Sequence, residues 1–197
     1  MSPPPKVLHV TTVDMSLELL IGPQLRAFAA AGYEVVGASA PGPYVAGLEA
    51  DGIRHIPLHH ATRAMAPIRD ARFVAELYRV LRRERPDIVH LHNPKPGWFG
   101  RPTAKVARVP AIVNTVHGLY ATPDDPLPMR TVVYGLERFG ACFSDVELVQ
   151  SPEDVEVLRR LRVPASHLVG LGNGIDLDRF SRDAVDADTV ARVRAEL

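Results

Sequence analysis

Short apolar, β-branched runs alternate with amphipathic helical stretches from one end of this chain almost to the other, and that alternation restricts the fold to the α/β class. The extended runs are residues 6–12 (KVLHVTT), 33–40, 53–58, 87–92 (DIVHLH), 111–116, 145–150 and 167–171. Helical spacing predicts helices over 17–31, about 44–50, 68–85, 96–108 and 129–142, another from residue 152, and a last one over 185–197. The period is clearest in 68–85, where Phe73, Val74, Leu77, Val80 and Leu81 share one face. Gly32 stands where a C-terminal cap glycine belongs, and Pro86 stops the long helix. Ser151-Pro152-Glu153-Asp154 carries a full start signal, with Ser151 as cap, Pro152 at the first helical position and Asp154 completing a capping box. Strands that alternate with helices pair in parallel beneath helices on both faces. The expected fold is therefore α/β, a doubly wound Rossmann-like domain with a mainly parallel sheet of about seven strands. It occupies residues 6–172, after a disordered 1–5; residues 173–197 are expected as an interdomain crossing and the start of a further domain, with a polar stretch after residue 180.

Composition narrows the function. With 197 residues, 46% apolar and 23% charged, the chain can bury a core without staples. Lys plus Arg and Asp plus Glu each number 23, so there is no basic excess of the kind a nucleic-acid coat needs. One cysteine, Cys142, excludes an internal disulfide and a cysteine-based zinc site. No apolar run approaches the ~18 residues of a transmembrane helix, and residues 1–5 show no signal-peptide pattern. A cytoplasmic protein is expected. Arg69, Arg72, Arg79 and Arg83 form a basic stripe opposite the apolar face of the long helix. Such a stripe is ordinarily a solvated face, and it also suits peripheral contact with an anionic membrane.

Ligands of an open parallel sheet bind beyond the carboxyl ends of its strands, near the point where strand order reverses. The first such loop, Val13-Asp14-Met15-Ser16, holds no G-x-G-x-x-G and no P-loop, so it is not a dinucleotide fingerprint; Asp14 and Ser16 read as helix caps. His90 and His92 point to one side of their strand. As an H-x-H pair they lack a third ligand placed by spacing, so no metal site is expected, and His90 reads as a strand histidine satisfied by backbone. His92 and Asn93 approach the mouth, and Lys95 adds its charge to a helix start, which suits a phosphate. His117-Gly118 ends the fifth strand, where a histidine can meet a phosphate or hydroxyl; Tyr120 lies just beyond. Gly172-Asn173-Gly174-Ile175-Asp176 is a tight turn.

Taken in order, several segments resemble the N-terminal half of glycosyltransferase family 4, enzymes of the GT-B fold. They are Val7-Leu8-His9-Val10, the Ala31-Gly32-Tyr33-Glu34-Val35 join, Pro86-Asp87-Ile88-Val89-His90-Leu91-His92, Thr115-Val116-His117-Gly118, Val149-Gln150-Ser151, and Asn173-Gly174-Ile175-Asp176 with Phe180. The resemblance implies a retaining transfer of sugar from a nucleotide-sugar to a lipid-linked or polysaccharide acceptor. It further implies that an N-terminal domain like this one holds the acceptor, and that a C-terminal domain holds the donor through a Glu-rich motif. His117 becomes the catalytic candidate beside the transferred sugar. Asp14, Met15, Ser16, His92, Asn93, Lys95, Gly118 and Tyr120 become substrate contacts, and Asn173, Gly174 and Asp176 the crossing towards the donor side. No cofactor or metal is implied beyond the donor substrate. Two departures stand out: Val13–Ser16 replaces the Gly-Gly pair of many members, and no Glu-rich motif is present. The expectation is an acceptor-side domain, inactive alone, completed by a donor domain in cis or in trans. Competing readings are a non-catalytic binding domain of the same fold, a sugar-nucleotide epimerase, and a metal hydrolase using His90 and His92.

Overall fold

The computed structural model describes residues 3–92, 94–174, 181 and 185–196. All seven expected strands form: β1 (Lys6–Val13), β2 (Glu34–Ala40), β3 (Arg54–Pro57), β4 (Ile88–His92), β5 (Ala111–Val116), β6 (Val146–Val149) and β7 (Leu168–Gly170). They pair in parallel in the order β3-β2-β1-β4-β5-β6-β7. The order reverses between β1 and β4, so the loops after these two strands diverge and open a crevice. The helices are α1 (Gly22–Ala30), α2 (Val45–Ala50), α3 (Pro67–Glu84), α4 (Arg101–Ala107), α5 (Leu127–Ala141), α6 (Pro152–Arg160) and α7 (Ala187–Glu196). No helix among the described residues is long and apolar enough to cross a membrane.

The apolar periods of the sequence become two clusters on opposite faces of the sheet. Leu8, Val10, Val36, Ala38, Val89 and Leu91 pack against Phe73, Leu77, Val80 and Leu81 of α3. Leu17, Ile21, Leu25, Val35, Leu48 and Ile53 close the other face. Each large side chain so buried contributes about 2 kcal/mol relative to exposure.

Two expected helices differ in detail, both beside the crevice. The stretch predicted as one helix over 17–31 is a π-helical turn, Ser16–Leu20, followed by α1; the one over 96–108 is a π-helical turn, Pro96–Gly100, followed by α4. Pro23 and Pro102 each sit at the second position of the α-helix. A proline has no N–H to give to the carbonyl four residues back, so the regular ladder is interrupted there and the preceding turn widens. The α6 start also departs from expectation. The Asp154 N–H donates to the Ser151 hydroxyl at 3.4 Å, but the Asp154 carboxylate accepts from the Leu119 N–H at 3.1 Å and so anchors the loop after β5.

Candidate active site

The crevice between the ends of β1 and β4 holds a cavity of about 890 Å³. Ser16 and Lys95 line it from the two diverging loops, Arg63 and Met65 from the loop before α3, and Trp98, Tyr120 and Val132 from its far wall. Most of that lining is apolar. Lys95 does not offer the free charge expected for a phosphate. It is buried, paired with the Asp70 carboxylate, and donates to the Ala64 carbonyl at 2.5 Å. Arg63 is exposed, and no ion pair holds it among the described residues.

Asp14 and Ser16 do not cap a helix by side chain. The buried Asp14 carboxylate accepts from the Tyr44 N–H at 2.8 Å, tying the first loop to the second. Gly42 is required there, because a Cβ at that position would collide with the carboxylate. Ser16 is buried at the cavity wall, and Met15 is 37% exposed beside it.

Beneath the crevice runs a row of histidines. His9 Nδ1 lies 3.1 Å from His92 Nε2, His92 Nδ1 lies 3.1 Å from His117 Nε2, and His117 Nδ1 lies 3.0 Å from Gln150 Oε1. With the Gln150 carbonyl oxygen as the last acceptor, each ring donates from Nδ1 and accepts at Nε2, which is one consistent set of tautomers. The row ends at His9 Nε2, buried and without a partner. His90 stands alongside, its Nε2 2.7 Å from the Thr115 hydroxyl, so a side chain rather than backbone satisfies it. Burial first, and neighbouring histidines second, hold His9 and His92 well below the ordinary histidine range. Burial and the charge of His117 lower His90 to about 3. His117 is lowered by burial, partly offset by its bond to Gln150. All four rings are neutral near pH 7.

His92 is therefore not a surface contact. It is 0% exposed and both its ring nitrogens are engaged, so it positions His117 from below. Sequence reading passed over His9, taking residues 6–12 as an ordinary buried strand. The available signal was a histidine in an otherwise apolar core run, set opposite His90 by the parallel register. His9, His90 and His92 each offer a ring nitrogen within 4.8 Å of the others, a spacing at which three histidines can share a cation, so H-x-H does have a third neighbour. The ring centroids lie 4.1–5.4 Å apart, His9 stacked on His92 and His90 tilted against both.

A smaller cavity of about 350 Å³ at the end of β5 brings His117, Gly118 and Tyr120 together. Gly118 has φ 121°, a conformation that side chains rarely adopt. Behind this cavity lies a charge cluster that sequence reading missed. Arg101, 0% exposed, donates to Glu147 at 2.5 Å and Glu137 at 2.8 Å. Trp98 Nε1 donates to Glu137 at 2.6 Å, and Asn114 to Glu147 at 2.7 Å. Burial raises the Glu137 pKa against the pull of Arg101. Asn173 and Gly174 follow β7 at the sheet edge and line neither cavity. Asn93 and Asp176 lie outside the described residues.

The fold matches known proteins. Residues 24–179 fit the model of Glycosyltransferase Family 4, and the chain belongs to that family. It is 32% identical over 132 residues to the Escherichia coli UDP-Gal:alpha-D-GlcNAc-diphosphoundecaprenol alpha-1,3-galactosyltransferase, covering 66% of this chain and 34% of that enzyme. Among solved structures, the Anabaena Alr3699/HepE protein in complex with UDP and glucose superposes with a TM-score of 0.69 at 13% identity, covering 96% of this chain and 49% of that one. A UDP-N-acetylglucosamine 2-epimerase superposes equally well, with a TM-score of 0.69 at 15% identity over 98% of this chain and 53% of that one. The fold alone thus does not separate transferase from epimerase; the match over residues 24–179 sets the family. The chain spans about a third of the curated relative and about half of each solved structure.

Proposed function

We propose that this chain is the acceptor-holding half of a retaining glycosyltransferase. It moves a sugar from a nucleotide-sugar to an acceptor whose own sugar is carried on a lipid diphosphate; a polysaccharide acceptor is the second choice. The observation that carries this reading is the crevice itself: an apolar cavity at the β1/β4 reversal, with Arg63 at its wall as a cation that has no ion-pair partner among the described residues. The relative that is 32% identical over 132 residues is named for a diphosphoundecaprenol-linked acceptor and a UDP-galactose donor.

In this reaction the bond from the anomeric carbon to the donor diphosphate breaks. A bond from that carbon to the acceptor oxygen forms on the same face, and the acceptor proton leaves with the diphosphate. Charge on the departing diphosphate must meet positioned donors and cations. Within the described residues Lys95 is neutralised by Asp70 and Arg101 by its two glutamates, so these cations do not serve. The cations come from a donor-binding domain, in cis or in trans, and the chain alone turns over negligibly. His117 faces the transferred sugar from the smaller cavity, held in orientation by His92 and Gln150. No metal is needed. The setting is the cytoplasmic face of a membrane, where lipid-linked acceptors are presented.

The test is a transfer assay with UDP-galactose and a GlcNAc-diphosphate lipid, with and without a donor-side domain. The expected result is product only in the combined reaction, with the α linkage of the donor kept. A β-linked product, or ordinary turnover by this chain alone, contradicts the reading.

A further inference from the structure

A second apolar cavity, about 690 Å³, lies on the outside of the helical layer between α3 and α5. Ala71, Val74, Ala75 and Tyr78 recur at helical spacing along its α3 wall, and Leu136 and Phe139 along its α5 wall. The outer faces of helices covering a sheet ordinarily carry charge. Here Val106 on the groove floor is 70% exposed and Phe139 53%, so this is apolar surface left open to solvent. Trp98 and Leu136 line both this groove and the crevice cavity, so the two adjoin across these side chains, Trp98 itself being buried. Arg63 stands on the crevice side. Arg79 lines the groove, and Arg72 is exposed about two turns before it; neither has an ion-pair partner among the described residues.

We propose that the α3–α5 groove takes the hydrocarbon chain of the lipid-linked acceptor while its diphosphate-sugar head occupies the crevice. This rests on the lipid-linked reading given above and adds the site of the chain. A free glycan gains nothing from such a surface, whereas each buried methylene of a prenyl chain contributes about 0.8 kcal/mol. The Arg63 guanidinium on the crevice side has the planar fork that suits a diphosphate. Groove and cation therefore complement the two halves of one amphiphilic molecule.

Trp98 is the chain's single tryptophan and sits at the junction, so its emission reports occupancy. The probe is geranylgeranyl diphosphate below its micellar concentration, compared with inorganic pyrophosphate and with phosphatidylglycerol vesicles. Ala75→Phe fills the groove and Val106→Glu places a charge on its floor; both positions are exposed, and circular dichroism checks that the fold is kept. The expected result is saturable binding of the prenyl diphosphate by the parent, weakened about tenfold or more in each variant, with pyrophosphate binding alike to all three. Equal prenyl affinity in parent and variants overturns the groove while leaving the lipid-linked reading intact. Absence of saturable binding by the parent overturns both. A Trp98 change produced equally by vesicles alone, and lost in the variants, makes the groove a membrane-docking face and also overturns the proposal.

Discussion

On the β2–β3 side of the sheet the interior is almost wholly apolar: Val35, Val36, Ala38, Leu48, Ile53, Ile56 and Leu58 are buried, with Ser39 as the buried polar neighbour. On the β4–β6 side, His90, His92, Arg101, Asn114, Thr115, Glu137 and Glu147 are buried. β1 is the boundary, apolar at Leu8 and Val10 and polar at His9. Apolar packing is non-directional and tolerates small shifts, whereas a buried hydrogen-bonded network fixes the geometry of every member. The half that must hold His117 and the walls of both site cavities is the one built with directional bonds. The other half supplies the cohesion.

Acid should separate the two halves most strongly. His9, His90 and His92 are all held below the unfolded histidine value near 6.5. The unfolded chain then binds more protons, so the stability they contribute is full above about pH 6.5 and is lost as pH falls below it, for His90 towards about 3. Three such groups give a loss of about 4 kcal/mol per pH unit once all three titrate on unfolding. Urea unfolding at stepped pH measures it, and a flat profile from pH 7 to 5 breaks the contrast.

Arg101→Met comes next. It strands Glu137 and Glu147 in the interior and should cost about 3–5 kcal/mol in urea unfolding; a cost below about 1 kcal/mol would show that the cluster is not held by charge. Leu8→Ala in the apolar half should cost about 3 kcal/mol by cavity formation and leave the slope of stability against pH unchanged. Ser151→Ala, removing the α6 cap, should cost about 1 kcal/mol. Smallest of all is a null effect: dialysis against a chelator should leave Tm unchanged. A drop of several degrees would instead make His9, His90 and His92 a metal site.

Much of this architecture is legible in the chain. The seven strands fall within one or two residues of their expected places because each is an apolar run bounded by Gly, Pro or Asp. What escaped is pairing across distance. Arg101, Glu137 and Glu147 lie 36 and 46 residues apart in sequence, and each alone looks like an ordinary solvated charge. Lys95 read as a phosphate ligand because Asp70, its partner, belongs to a different helix. His9 looked unremarkable until β4 lay beside β1. Periodicity reports which way a side chain faces; it does not report what it will meet. Pro23 and Pro102 went unread: each lies inside a stretch expected as one helix, and each stands where that stretch divides into a widened turn and an α-helix.

The central claim is that the β1/β4 crevice of this chain receives the acceptor and not the donor. Amide and tryptophan side-chain shifts of the isotopically labelled chain, titrated separately with a soluble GlcNAc-diphosphate lipid analogue and with UDP-galactose, test it directly. The account predicts saturable shifts at Ser16, Lys95 and Trp98 with the acceptor analogue and none there with UDP-galactose at the same concentration. Shifts at those residues with UDP-galactose, and none with the acceptor analogue, would contradict it.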